Sequence, residues 1–142
     1  MKGKMIHILL VEDDEVDVMN VKRAFKKNNI TNSLYTASDG IEALSILRGS
    51  EGASPIPQER RLILLDLNMP RMNGIEFLRE LRGDANLKQI PVVMLTTSNE
   101  DRDKVEAYNL NVAGYILKPV TFDNFVQVMA TLNNYWTLSE MP

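Results

Sequence analysis

The stretch "LILLDLNMPRMNG", residues 62–74, runs from four aliphatic residues straight into Asp66. A carboxylate at the edge of an apolar run is costly to bury unless something pairs with it, so its partners must come from elsewhere in the chain. Glu12, Asp13 and Asp14 close the run "IHILLVEDD", Thr96 and Thr97 close "VVMLTT", and Lys118 closes "GYILK". If these runs are neighbouring parallel strands, their C-terminal ends share one rim at the point where strand order reverses, and Glu12, Asp13 and Asp66 converge there. Converging carboxylates push one another toward protonation unless a cation sits among them. Oxygen donors, no cysteine and a single histidine favour a hard ion, Mg²⁺ first and Mn²⁺ second. The threonine hydroxyls suit a phosphate oxygen and the lysine ammonium suits its charge, so the rim has what a phosphorylated aspartate needs. Each feature alone has a plainer reading. An acidic run opens many helices, threonine closes many strands, and a lysine before a proline commonly sits at a solvated tip. Their coincidence on one rim carries the functional reading.

The elements that must position these residues alternate about five times between strand-length apolar runs and longer amphipathic stretches, the pattern of a parallel sheet with helices on both faces. The strand candidates are "IHILLV", "SLYTA", "LILL", "VVML" and "GYIL". Those in the middle lack polar alternation, as strands covered on both sides do. "EVDVMNVKRAFKKN" reads as a helix closed by Asn28 and Asn29. "DGIEALSILRG" opens with Asp39 three residues before Glu42 and stops at Gly49, and "GIEFLRELRG" is bracketed by glycines. The last helix starts from Thr121 and stripes Phe122, Phe125, Met129 and Leu132 along one face, which reads as core. Residues 49–61, "GSEGASPIPQERR", carry no periodicity and read as an extended exposed loop.

With 142 residues, 44% of them hydrophobic, the chain suits a single domain spanning 1–142. The absence of cysteine excludes disulfides, thiol nucleophiles and thiolate metal sites. The opening "MKGKMIHILLVEDD" is neither a signal peptide nor a membrane span, so a cytoplasmic protein without membrane contact is expected. Net charge is −3, and the basic residues Lys22, Arg23, Lys26 and Lys27 fall at helical spacing. They read as a solvated face, which argues against direct binding of nucleic acid. His7 lies inside the first strand, away from the rim, and reads as a packed or edge residue.

In its motifs "ILLVEDD", "LLDLNMPRMNG", "PVVMLTTS" and "GYILKP", the chain resembles the receiver domain of two-component response regulators over nearly its whole length. The resemblance implies a single flavodoxin-like, doubly wound five-stranded parallel sheet in the order 2-1-3-4-5, flanked by five helices. It implies that Asp66 accepts a phosphoryl group from a histidine kinase. Asp13 would ligate the metal directly, Glu12 through water, and Asn68 through its backbone carbonyl; Asp14 falls outside the pair unless the acidic run is shifted by one. Lys118 matches the family's lysine, Thr96 its switch hydroxyl and Tyr115 its switch aromatic. Once Asp66 is phosphorylated, Thr96 would move to the new oxygens and Tyr115 would rotate inward, changing the face made by the fourth helix, fifth strand and fifth helix. Pro119 matches the family's cis proline, although a trans proline in a turn reads equally well. Asn68 and Ser98 occupy positions that tune dephosphorylation in the family.

The long loop, the lack of an appended output domain and the tail "TLNNYWTLSEMP" further resemble stand-alone regulators of cyanobacterial and bacterial phytochromes, which implies a phytochrome-type kinase and a homodimer. Tyr135 and Trp136 then read either as tail packing or as a dimer contact. Output would pass to a docked target or, by phosphorelay, to a histidine phosphotransfer protein. Two rivals fit less well. A phosphatase forming an aspartyl phosphate on Asp66, of the familiar haloacid-dehalogenase-like form, wants a second aspartate where this chain has Asn68, so true enzyme turnover is not expected beyond self-catalysed phosphoryl acceptance and slow autodephosphorylation. A flavin mononucleotide site would meet its phosphate with Glu12, Asp13 and Asp14, which repel it.

Overall fold

The structure, a computed structural model, describes residues 5–49 and 55–142. Five parallel strands, β1 (His7–Val11), β2 (Leu34–Ala37), β3 (Arg61–Leu65), β4 (Val92–Thr96) and β5 (Gly114–Leu117), form one sheet in the order β2-β1-β3-β4-β5. Helices α1 (Glu15–Lys27), α2 (Gly40–Arg48), α3 (Gly74–Gly83), α4 (Asp101–Asn109) and α5 (Phe122–Leu138) connect or follow them. This is the doubly wound, flavodoxin-like arrangement, and alternate strand residues feed two cores. Leu9, Val11, Ile63, Leu65 and Met94 pack with α2 and α3, whereas Ile8, Leu10, Leu62, Leu64 and Leu95 pack with α1 and α5. Strands buried on both faces have no solvent side to display, which is why β3 and β4 read as unbroken apolar runs.

Local chemistry sets the helix ends. Asp14 caps α1, its carboxylate accepting from Val16 N at 2.8 Å and Asp17 N at 3.3 Å. Asp39 caps α2, and Gly49 closes it in the left-handed region at φ 70°. Asn73 and Glu76 form a reciprocal capping box on α3. Asn28 ends α1, followed by Asn29 at φ 55°. The α5 stripe is buried at Phe125, Met129, Leu132 and Trp136, while Phe122 is half-buried beneath the Arg23 guanidinium, 4.3 Å from its ring centre. Trp136 is fully buried against Phe25, ring centres 5.9 Å apart, and Tyr135 stays partly exposed. Of the two readings of this pair, Trp136 is tail packing.

Of the loop expected at 49–61, Gly49, Pro55, Pro57, Gln58 and Glu59 are exposed as expected. Residues 50–54 lie outside the described residues, but Ile56 is buried in the α2–α3 core and β3 already begins at Arg61. The Ile56 side chain and the bond from His7 N to Arg60 O anchor the loop's C-terminal half. Lys22, Arg23, Lys26 and Lys27 are exposed, and His7 is half-buried inside β1, with its Nδ1 buried and unpartnered among the described residues. No helix among the described residues is long and apolar enough to cross a membrane.

Candidate functional site

Sheet register builds the rim. Val11 pairs with Leu65 and Thr96 with Leu117, so the residues just beyond these pairs, Glu12, Asp66 and Lys118, emerge together. Backbone bonds extend the pairing past the strand ends: Asp66 N donates to Val11 O at 3.0 Å and Lys118 N to Thr96 O at 2.8 Å. Carboxylate oxygens of Glu12, Asp13 and Asp66 lie within 4.8 Å of one another, with Asp13 exposed and the other two buried. Asp14 is taken up as the α1 cap, and it is Glu12 and Asp13 whose carboxylates stand with Asp66. Asn68 is exposed in the β3–α3 loop and lines a cavity of about 760 Å³ together with Thr97, Ser98 and Asp103.

Lys118 stands among the acids, but not where phosphate neutralisation alone would put it. Its Nζ is 2.5 Å from Glu12 Oε1, 2.7 Å from Asp17 Oδ2 and 3.6 Å from Asp66 Oδ1. Burial opposes its charge, yet the bonds to Asp17 and Glu12 outweigh burial and raise its pKa. Burial dominates at the carboxylates. It pushes Glu12 up to about 7, against the pull of Lys118, and Asp66 close by adds to the rise. Asp66 is also raised by burial, with the Lys118 charge, the Thr96 hydroxyl and the Leu67 N–H acting in the other direction. Its Oδ1 is buried and has no hydrogen-bond partner among the described residues. An oxygen-only donor set with an orphaned buried carboxylate oxygen fits a hard divalent cation.

Two residues on this rim, Asp17 and Arg71, were not singled out from sequence, and Ser98, which was, makes contacts the sequence did not show. Asp17, in the first turn of α1, shares Lys118 with Glu12, and no spacing in the sequence signalled it. Arg71, at φ 62° in the β3–α3 loop, pairs with the buried Asp39 at 2.5 Å and ties that loop to the start of α2. Burial works against the Asp39 charge, but the Glu42 N–H and the Arg71 guanidinium lower its pKa. Ser98 is a junction: its N–H donates to Thr96 Oγ1 at 3.2 Å, its carbonyl accepts from the Tyr115 hydroxyl at 2.9 Å, and its own hydroxyl donates to Asp103 at 2.6 Å. Thr96 is fully buried and Tyr115 half-buried. The Lys118–Pro119 bond is trans, as are all peptide bonds among the described residues, so of the two readings left open the trans one holds. The lysine reaches the rim nonetheless, because Glu12 and Asp17 hold its ammonium there.

A 2-1-3-4-5 sheet with an acid cluster and a lysine on its C-terminal rim defines a signalling receiver, not an enzyme that turns over a separate substrate. The chain belongs to the response regulator receiver domain family, whose model matches residues 8–130. Response regulator Rcp1 of Synechocystis sp. is 37% identical over 131 residues, covering 91% of this chain and 87% of that protein. The probable methanogenesis regulatory protein FilR2 of Methanothrix harundinacea is 38% identical over 130 residues, covering 91% and 82%. The crystal structure of the phosphorylated cyanobacterial phytochrome response regulator RcpA superposes with a TM-score of 0.87 at 33% identity, over 98% of this chain and 99% of that one. Rcp1 in its Mn²⁺-bound form superposes with a TM-score of 0.85 at 34% identity, over 96% and 99%.

Proposed function

We propose that this receiver accepts a phosphoryl group on Asp66 from a histidine kinase and signals through a change in the α4–β5–α5 face. The observation that carries the reading is the buried, unpartnered Asp66 Oδ1 beside Glu12 and Asp13, with Lys118 Nζ 3.6 Å away. Glu12, Asp13, Asp66 and the Asn68 carbonyl would hold Mg²⁺, or Mn²⁺, the ion of the Rcp1 structure. When bound, the ion supplies positive charge to the transferring phosphoryl oxygens. The Asp66 carboxylate attacks phosphorus. Its new O–P bond forms as the P–N bond of the donor phosphohistidine breaks, and the bonding pair returns to the imidazole nitrogen. Lys118 and the Thr96 hydroxyl then meet the phosphoryl oxygens.

Ser98 gives the switch a route. When Thr96 turns to a phosphoryl oxygen, it gives up the Ser98 N–H, and Ser98 carries both the Tyr115 bond and the bond to α4 at Asp103. Val105, Tyr108, Leu117 and Tyr135 are exposed on α4, β5 and α5, and they supply apolar surface for a second copy or a target. The likeness to the cyanobacterial phytochrome response regulator RcpA supports a phytochrome-type kinase as donor.

Incubation with acetyl phosphate and Mg²⁺ followed by intact mass tests the chemistry. Wild type should gain one phosphoryl group and Asp66→Asn none; equal gain in both moves the acceptor elsewhere, and gain in neither ends the reading. Light scattering that finds only monomer at tens of micromolar, with and without a phosphate mimic, removes the homodimer.

A further inference from the structure

We infer that Asp17 is a positioning residue that competes for the Lys118 ammonium and holds it back from Asp66 until a phosphoryl group draws it across. The inference rests on Asp66 being the acceptor. An ammonium has three N–H donors. Two of those on Lys118 are engaged, by Glu12 Oε1 at 2.5 Å and Asp17 Oδ2 at 2.7 Å, and Asp66 Oδ1 at 3.6 Å lies beyond a direct hydrogen bond. That oxygen is buried, charged in its working state and without a hydrogen-bond partner among the described residues, though the lysine is the nearest cation. An unopposed ammonium would close on it. Two carboxylates on other elements oppose the closure: Glu12 extends β1 and Asp17 approaches from α1, whereas Asp66 extends β3, and Asp17 is the one outside the acid cluster of Glu12, Asp13 and Asp66. The Lys118 side chain is 8% exposed and cannot escape to solvent, so its position is set by the acids around it.

The arrangement has two consequences. An oxygen of Asp66 stays uncapped and available to attack phosphorus. After transfer, the phosphoryl group carries nearly two negative charges against one on Asp17, so the ammonium crosses to it and leaves Asp17 without its partner. Asp17 thereby weakens the hold of Lys118 on the phosphorylated state.

Beryllofluoride with Mg²⁺, titrated into the full chain and followed by the amide resonance of Ser98, reads this competition. Asp17→Asn keeps the size and removes the charge. It should bind beryllofluoride about two- to fivefold tighter, the range for a pair with one partly exposed member. Asp17→Glu, which restores the charge, should return toward wild type. Glu15→Gln removes an exposed acid from the same helical turn and should leave the affinity unchanged. A role limited to structural support can only weaken binding when Asp17 is lost, so tightening separates the two. Equal or weaker binding by Asp17→Asn, or the same gain in Glu15→Gln, overturns the competition while leaving Asp66 as acceptor. A wild-type chain that binds no beryllofluoride overturns the acceptor reading itself, and the competition with it.

Discussion

Gly74→Ala tests whether the rim is built from the backbone outward. Gly74 opens α3 directly against the peptide that follows Asp66, its N–H donating to Leu67 O at 2.8 Å. A Cβ at this position would lie 2.5 Å from the Asp66 carbonyl oxygen, 2.9 Å from Leu67 Cα and 3.3 Å from the Asp66 carbonyl carbon. Since a comfortable carbon–oxygen approach is about 3.3 Å, alanine requires a displacement of about 0.8 Å. The atoms in the way are main chain at the end of a strand whose aliphatic side chains are fully buried, so no side chain can swing aside. Overpacking of this kind costs about 1–3 kcal/mol, and with backbone on the receiving side the expected loss is near the upper end. For a chain of this length that lowers Tm by roughly 6–12 °C. The displacement falls on Asp66, so phosphorylation by acetyl phosphate should slow by roughly tenfold or more. Gly83→Ala is the control, because a Cβ at that end of α3 meets nothing within 4 Å, and alanine there should be neutral or stabilise by about 0.5–1 kcal/mol. Thermal melts with intact-mass time courses decide it. If Gly74→Ala melts within a degree of wild type and is phosphorylated at the same rate, the close approach does not constrain the site and the reasoning is wrong.

Asp66→Asn removes a buried carboxylate whose ionised form burial disfavours, so the metal-free protein should be stabilised by about 1 kcal/mol in urea titrations; destabilisation would mean that the charge is well paired. Glu12 has its folded pKa raised from 4.5 to about 7, so its contribution to stability is present in full below about pH 4.5 and lost as pH rises through 7. The difference in urea midpoint between wild type and Glu12→Gln, measured in chelator from pH 5 to 8, should therefore fall with rising pH, and a flat difference contradicts the raised pKa. Trp136→Ala should cost about 3–5 kcal/mol by circular dichroism in urea, with Trp136→Phe retaining much of the contact with Phe25; a loss below about 1 kcal/mol for alanine would show that the helix end is not packed.

The sheet was legible because its physics is local. A strand covered on both faces must be apolar throughout, so β1, β3 and β4 announce themselves, and parallel strands place their C-terminal ends on one rim whatever the loops do. Asp39 was legible as a helix start for the same reason, since an exposed first turn needs an acceptor at its N-terminus, whereas the caps Asp14 and Asn73 were not singled out. The position of Lys118 was not legible. Whether its ammonium rests on Glu12, Asp17 or Asp66 depends on differences of about an ångström among acids from separate elements, and no spacing rule encodes a three-way competition. Arg71 was hidden likewise, because its partner Asp39 lies 32 residues away and reads completely as a cap.

The rim has more acids than its one lysine can satisfy. Glu12, Asp17 and Asp66 all lie within 4 Å of the same Nζ, and Asp13 adds a further negative charge. Burial raises both Glu12 and Asp66, and at Glu12 the nearby Asp66 charge adds to the rise, so neither carboxylate is stabilised as a satisfied ion pair would be. A rim with matched charges would be more stable and less responsive, since an arriving cation or phosphoryl group would have to break a good pair before making a new one. Here the divalent ion has unneutralised oxygens to occupy, and the phosphoryl group can take Lys118 from a partner at the partly exposed edge of the site. Substitutions that remove charge from Glu12, Asp13 or Asp66 should therefore raise the stability of the metal-free chain and diminish its response to phosphoryl donors together, whereas core substitutions such as Trp136→Ala should lower stability and leave the chemistry of the folded fraction intact.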